Sequence, residues 1–303
     1  MKKTKNFNRI GSGWNALFTV ILVVYVAIVL APLILMIIIS FSSEESIKQI
    51  GYSYVPLDWS LEGYKFVFRM GEALAKSYAV TIFNAVFGTV LCVLFTSLYA
   101  YVLAQRDFPL KKFFTWVVYF TTLFSAGLVP CYMLNTKYYH LKDTYTILLV
   151  YGMVVPSWII MLRAFIRTTV PDALFDAARI DGAGHGRLYL QVVMPLLKPG
   201  LATIGLFSFV QRWNEWYAGM LYNKSAEKIP LQTLLTKMQQ MVNFLKANSK
   251  FASTPDGLAM LKTLPGESLR MACLIVVIAP VLFTYPFFQK YFVKGLTVGS
   301  VKD

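Results

Sequence analysis

Hydrophobic residues run through this chain in long uncharged blocks, unlike the alternation of a half-buried strand or the single stripe of a soluble helix. No Asp, Glu, Lys or Arg occurs for 34 residues between Arg9 and Glu44, 29 between Lys76 and Arg106, 24 between Lys112 and Lys137, 19 between Asp143 and Arg163, and 19 between Arg270 and Lys290. A bilayer core about 30 Å thick needs roughly 20 apolar residues of helix, so each block predicts a crossing helix. A sixth crossing starts after Lys198, but only 13 uncharged residues precede Arg212. It reaches full length by continuing to about Tyr222 with Arg212 and Glu215 inside it. The predicted fold class is all-α: a polytopic membrane protein with spans at about 14–40, 77–104, 113–134, 144–162, 199–222 and 271–289. A tail 1–13, outer loops 41–76 and 223–270, a connection 163–198 and a tail 291–303 complete the division. The first block follows a basic tail, as a signal peptide does. Its 34 uncharged residues exceed a signal core of about 7–15 residues, so it is expected to stay as a span.

Charge sets the expected orientation, because short loops rich in Lys and Arg stay in the cytoplasm. Lys2, Lys3, Lys5 and Arg9 precede the first span, and Arg106, Lys111 and Lys112 join the second to the third. Arg163, Arg167, Arg179, Arg187 and Lys198 join the fourth to the fifth, and Lys290, Lys294 and Lys302 end the chain. Both termini and the 163–198 connection are therefore expected in the cytoplasm. Composition agrees with a membrane protein: of 303 residues 57% are hydrophobic and 15% charged, which excludes an ordinary soluble globule. The net charge of +14 is dispersed among the spans and gathers into no basic domain, which argues against nucleic acid as a partner. Cys92, Cys131 and Cys273 sit in apolar stretches without a CxxC pair, so they read as small hydrophobes.

In the second outer loop, Pro230 opens a run in which Leu231, Leu234, Leu235, Met238, Val242 and Leu245 recur at helical spacing. Such a stripe packs on the protein, lies in the headgroup layer, or helps receive a partner. Catalytic signatures are missing: the chain has no GxxxxGK[ST], HExxH or GxSxG, and its two histidines, His140 and His185, are far apart. A transporter of this composition that used ATP has to take its nucleotide site from another chain.

The connection 163–198 carries the strongest pattern. Pro171 suits the start of a helix, Asp172 suits its positive end, and Gly182 suits the left-handed turn that closes it, giving a helix of about eleven residues. A second short helix is expected from Arg187 to about Val193, stopped near Pro195 and Pro199. Ala173 with Ala177 and Leu174 with Ala178, each at i and i+4, give a face of small side chains, which with Asp176, Arg179 and Asp181 fits a groove in a soluble partner or, equally, a fold against the chain's own bundle.

The segment resembles the EAA loop of permeases in binding-protein-dependent ATP-binding-cassette importers, whose pattern is EAA, three residues, Gly, nine residues, Ile, any residue, Leu-Pro. Here it reads Asp176-Ala177-Ala178, three residues, Gly182, nine residues, Val192-Val193-Met194-Pro195. Asp replaces the leading Glu, Val the Ile and Met the Leu. Arg179-Ile180-Asp181-Gly182-Ala183, Trp213-Asn214-Glu215 and Gln289-Lys290-Tyr291-Phe292-Val293-Lys294-Gly295-Leu296 are similar to carbohydrate permeases of the maltose and multi-sugar type, and within that type the long outer loop and the ending Gly295 to Asp303 most resemble permeases for oligosaccharides or polysaccharide fragments in Gram-positive bacteria. The resemblance implies a division of labour. A second, homologous permease completes the pathway, two ATPase subunits holding ATP and Mg2+ grip the loop at Asp176, Ala177, Ala178, Arg179, Asp181 and Gly182, and an extracellular lipoprotein delivers the sugar. No cofactor and no catalysis is implied for this chain.

Arg212, Trp213, Asn214, Glu215, Trp216 and Tyr217 form the candidate substrate pathway, because aromatic faces, an amide and a carboxylate suit a sugar's C–H faces and hydroxyls. Arg212 and Glu215, at i and i+3, are expected to pair. The same residues also suit an interfacial aromatic belt with Arg212 reaching outward. A self-sufficient secondary transporter or channel needs coupling acids within the spans, and only Glu215 qualifies. An intramembrane enzyme needs a catalytic constellation, and none is visible.

Overall fold

The computed structural model describes residues 12–248, 254–255 and 266–298. The basic tail with Lys2, Lys3, Lys5 and Arg9, most of the loop from 249 to 265, and Lys302 lie outside the described residues. Helix is the only regular structure among the described residues, apart from one isolated antiparallel bridge between Ser42 and Trp59.

Two units are distinguished along the chain. The first holds residues 1–69 and 263–276. It contains α1 (Ser12–Ser40), α2 (Glu44–Ile50), α3 (Glu62–Arg69) and the first turns of the last helix. α1 carries no charge and is apolar on every side; no residue of its most apolar stretch is buried, as expected of a lipid-covered or subunit-covered helix. Ser43 caps α2, accepting from the Ser46 N–H at 3.1 Å. Glu44 accepts from the Ser268 N–H at 2.8 Å, and Tyr64 shares a 2.8 Å hydrogen bond with Ser40.

The second unit is built on α4 (Gly71–Ala104), whose 34 residues span about 51 Å. One face of α4 is a ladder of small or polar buried residues: Ser77, Thr81, Asn84, Ala85, Gly88, Cys92, Thr96 and Ala100. Small side chains at i, i+3 and i+4 let neighbouring backbones approach closely, which is how helices associate without a hydrophobic gradient. Against α4 pack α8 (Pro156–Thr169) and α11 (Lys198–Trp213). At one end Leu103, Val118, Ile159, Leu162, Ile166, Leu188, Val193 and Leu197 form a buried apolar cluster; Val80, Ile147, Leu148, Ala218 and Tyr222 form another.

The expected third, fourth and fifth spans are interrupted. The third is α5 (Lys111–Leu123) followed, after Phe124–Gly127, by α6 (Leu128–Tyr138), which closes in a π turn and is bent 116° from α5. Pro130 sits in the first turn of α6, where a missing N–H costs little, so the break falls before it. The fourth is α7 (Tyr145–Val150), capped by Thr144, then a loop to α8, which opens on Pro156. The fifth is α11, then α12 (Tyr217–Tyr222). The helix expected at 187–193 is longer: α10 runs over His185–Leu196 through a π turn at Leu188–Val193, passes Pro195, and turns 81° into α11. By length and composition alone, two described helices suffice to cross a membrane, Gly13–Ser40 and Gly71–Ala104, and the two bent pairs α5–α6 and α10–α11 pass jointly. α13 (Leu231–Ala247) is the expected amphipathic helix, with Leu231, Val242 and Leu245 buried. α14 (Glu267–Val298) ends the described chain.

Outside the spans, Asp143 ties the α6–α7 turn to the strap that follows α12. Its carboxylate accepts from the Ser225 hydroxyl and from the Ser225 and Lys224 N–H groups, both at 3.1 Å. The Ser225 hydroxyl above all, then the backbone donors, holds the Asp143 carboxyl down at about 2. A group depressed in the folded state stabilises above its unfolded value of 3.8 and loses that effect as pH falls through about 2. Between pH 4 and 2, the thermal midpoint of the detergent-solubilised protein is therefore expected to fall less in Asp143→Asn than in the wild type. Parallel pH profiles check this.

Candidate functional site

Two places assemble the residues singled out by the sequence. The first is α9 (Asp172–Ile180). Pro171 stands just ahead of it, and the helix is nine residues long. At its end the Ala183 N–H donates to Ala178 O at 2.9 Å and the Gly182 N–H to Arg179 O at 3.0 Å. This pair of bonds is a Schellman closure, and it requires Gly182 at φ +75°, a conformation a Cβ disfavours. The fixed distance from Asp176-Ala177-Ala178 to Gly182 is thus the distance from the middle of the helix to its stop. Gly182→Val is expected to cost about 1–2 kcal/mol locally, seen as faster tryptic cleavage at Arg179 or Arg187; an unchanged cleavage rate contradicts it.

At about 100° per residue, α9 has two faces. Phe175 and Ala178 turn inward and, with Ala183, pack on the apolar cluster of α4, α8 and α10. Ala173, Asp176, Ala177 and Ile180 turn outward; Ile180 is 86% exposed. The helix divides the expected face of small side chains: Ala173 and Ala177 stay outward, and Ala178 packs inward. Arg179 is turned to its own chain: its Nη1 donates to Asp107 at 2.7 Å and its Nη2 to Gln105 Oε1 at 3.3 Å. At the other end of the helix Arg106 pairs with Asp172.

The second place is the break at Asn214–Trp216 between α11 and α12. The expected Arg212–Glu215 pair does not form; each serves a helix end instead. Arg212 is only 4% exposed. Its Nη1 donates to Asn84 Oδ1 and Leu148 O, and its Nη2 to Leu149 O, all at 3.1 Å. Those carbonyls belong to the last turn of α7, where no helical donor remains and a cation is favoured. The guanidinium lies against Gly88 of α4: a Cβ there would come within 2.2 Å of Nη1. Glu215 accepts from the Ala218 N–H at 2.7 Å and opens α12.

Trp213 is 3% exposed, donates from its indole to Val277 O at 3.1 Å, and stacks on Phe209 at 5.9 Å. It is a packing residue. Asn214, Trp216 and Tyr217 are exposed, with Trp216 and Tyr217 edge to face at 5.7 Å. α13 lies over this break, since the Thr233 hydroxyl donates to Trp216 O at 3.0 Å and Gln232 donates to Asn214 Oδ1 at 3.2 Å. The six candidates thus separate into two that hold the break, Arg212 and Trp213, one that caps the next helix, Glu215, and three with open surface. Asn84, Gly88, Gln105, Arg106 and Asp107 enter only with the structure. Among the described residues no group of three or more His, Cys, Asp or Glu is placed to hold a metal ion.

Residues 102–298 match the binding-protein-dependent transport system inner membrane component family. The chain belongs to this family: it is a permease subunit of an ATP-binding-cassette importer, located in the membrane. It is 32% identical to the polygalacturonan/rhamnogalacturonan transport system permease protein YtcP of Bacillus subtilis, over 93% of this chain and 95% of that one. It is also 32% identical to protein LplC of the same organism, over 91% and 90% of the two chains. A crystal structure of a bacterial ABC transporter involved in import of the acidic polysaccharide alginate contains a chain of the same fold. That likeness has a TM-score of 0.78 and 30% identity, and covers 95% of this chain and all of the other.

Proposed function

We propose that the protein is one of two homologous permease subunits of an importer for oligosaccharides or polysaccharide fragments in the plasma membrane of a Gram-positive bacterium. It crosses the membrane six times with both termini in the cytoplasm. ATP and Mg2+ are bound by two ATPase subunits, and an extracellular lipoprotein delivers the sugar. The observation that carries this reading is α9, a short helix held at both ends whose outward face of small and apolar side chains, with Asp176, is left uncovered by its own chain. An ATPase groove closing on that face on nucleotide binding moves α9, and the two pathway states exchange as the grip tightens and relaxes. The names of the relatives support a carbohydrate cargo.

On the pathway side, Asn214, Trp216 and Tyr217 are the contacts for the sugar, on a break where the Trp216 carbonyl is met by the Thr233 hydroxyl of α13, as unwound backbone in a membrane requires. Arg212, Trp213 and Glu215 shape that break. Cells lacking only this chain are expected to lose uptake of one class of labelled oligosaccharide, tested across neutral and uronate-containing chains, and to regain it on complementation. Trp216→Ala with Tyr217→Ala is expected to lower uptake several-fold with the complex intact. Uptake that persists in the deletion, or ATP-independent flux through the isolated chain in liposomes, contradicts the reading.

A further inference from the structure

The turn between α4 and α5 meets α9 in a way that the docking role does not require. Asp172 and Arg179 are seven residues apart, so they share a face of the helix and stand about 10.5 Å from each other along its axis. Opposite them the turn presents Arg106 and Asp107 in the complementary order: Arg106 pairs with Asp172 and Asp107 with Arg179. Gln105 adds a third contact through its Oε1 to Arg179, and its own backbone carbonyl accepts from Lys111 Nζ at 2.7 Å. Beside these pairs a cleft of about 470 Å³ is lined by Tyr101, Gln105, Phe108, Arg179 and His185. The Tyr101 hydroxyl meets His185 Nδ1 at 3.3 Å across it.

Exposed ion pairs of this kind contribute only about 0–1 kcal/mol each, so stability does not explain them. Geometry does. Two pins of opposite sign at the two ends of a rigid helix define its direction, because reversing α9 end for end sets acid against acid and base against base. The seat also sits on the end of α4, the longest helix of its unit, and α4 continues without a break to Gly88 and Asn84, about 24 and 30 Å away. There it meets Arg212, which holds the breaks on either side of it.

We propose that Arg106 and Asp107 are the seat of α9, positioning residues that fix its orientation on the end of α4 so that movement of α9 is passed along α4 to the Asn214–Trp216 break. This rests on the reading of α9 as the element moved by the ATPase subunits. The test is a charge exchange in the assembled importer, purified with the subunits that accompany it and reconstituted with its binding protein. Solute imported per ATP hydrolysed is compared for wild type, Asp107→Arg, Arg179→Asp and the double exchange Asp107→Arg/Arg179→Asp. Each single variant is expected to lower this ratio about fivefold or more, in the usual range of coupling between sites. The double exchange is expected to recover at least half of it, with the amount of bound ATPase unchanged throughout.

Singles that keep the wild-type ratio, or a double exchange no better than the worse single, overturn the seat. The parallel variant Asp176→Lys separates the two claims. A wild-type preparation with no ATPase bound overturns the functional reading and the seat together. A bound ATPase that Asp176→Lys removes, with indifferent Asp107 and Arg179 singles, overturns the seat alone.

Discussion

Arg212→Met is expected to lower the apparent Tm of the detergent-solubilised protein by about 6 °C or more. The substitution leaves Asn84 Oδ1, Leu148 O and Leu149 O without their charged donor. Each buried acceptor left unmet costs about 1–3 kcal/mol, and about 2–4 °C accompanies each kcal/mol in a domain of 150–250 residues. Lysine is not a remedy, since one ammonium on a shorter reach does not replace a planar fork serving three acceptors on two helices. Gly88→Ala reaches the same end from α4, because the added methyl occupies the space of the guanidinium. The two changes therefore act on one contact, and Arg212→Met/Gly88→Ala is expected to be no worse than Arg212→Met alone. Thermal unfolding of the three variants checks this. A wild-type Tm in Gly88→Ala, or full additivity in the double variant, shows that α4 does not brace the break through Arg212.

The second large effect is expected on the outward face of α9. Ile180→Asp puts a charge on the most exposed apolar side chain of the helix, and Asp176→Lys inverts the neighbouring carboxylate. Both leave the inward contacts of Phe175 and Ala178 in place, so the chain is expected to insert and fold. The ATPase that accompanies the purified permease is expected to fall at least tenfold in each variant, which corresponds to about 1.4 kcal/mol of binding free energy. Quantifying ATPase per permease in the purified complex reads this out. Full retention in both variants places the grip elsewhere.

Much of this was legible in the sequence where a local rule fixes a spacing. The interval from Asp176 to Gly182 reads directly as a helix and its left-handed stop, because both lie within two turns of each other. α1 and α4 were legible because neither is interrupted. The breaks were not. No charge marks Phe124–Gly127 or Tyr151–Val155, so an uncharged run measures how much chain the membrane accommodates and is blind to whether it is one helix. Arg212 illustrates the other gap. Glu215 is its nearest opposite charge in sequence, but the acceptors it meets lie 64 residues away, at a carbonyl of the α7 end, and 128 residues away, at the Asn84 side chain of α4. A signal not read in the sequence is the ladder Ser77, Thr81, Asn84, Gly88, Cys92, small or polar at helical spacing, which marks a face of α4 approached closely by another element. The Gln105–Asp107 turn carried only its charges. Their order becomes meaningful once Asp172 and Arg179 are known to lie opposite.

The most direct test of coupling through α9 is a photo-crosslinking amino acid placed at residue 177 on its outward face and activated in intact cells. Docking of an ATPase on α9 predicts one dominant adduct with a soluble ATP-binding subunit, whose yield responds to nucleotide. Adducts with the permease's own helices or with lipid alone, and none with an ATPase, contradict it.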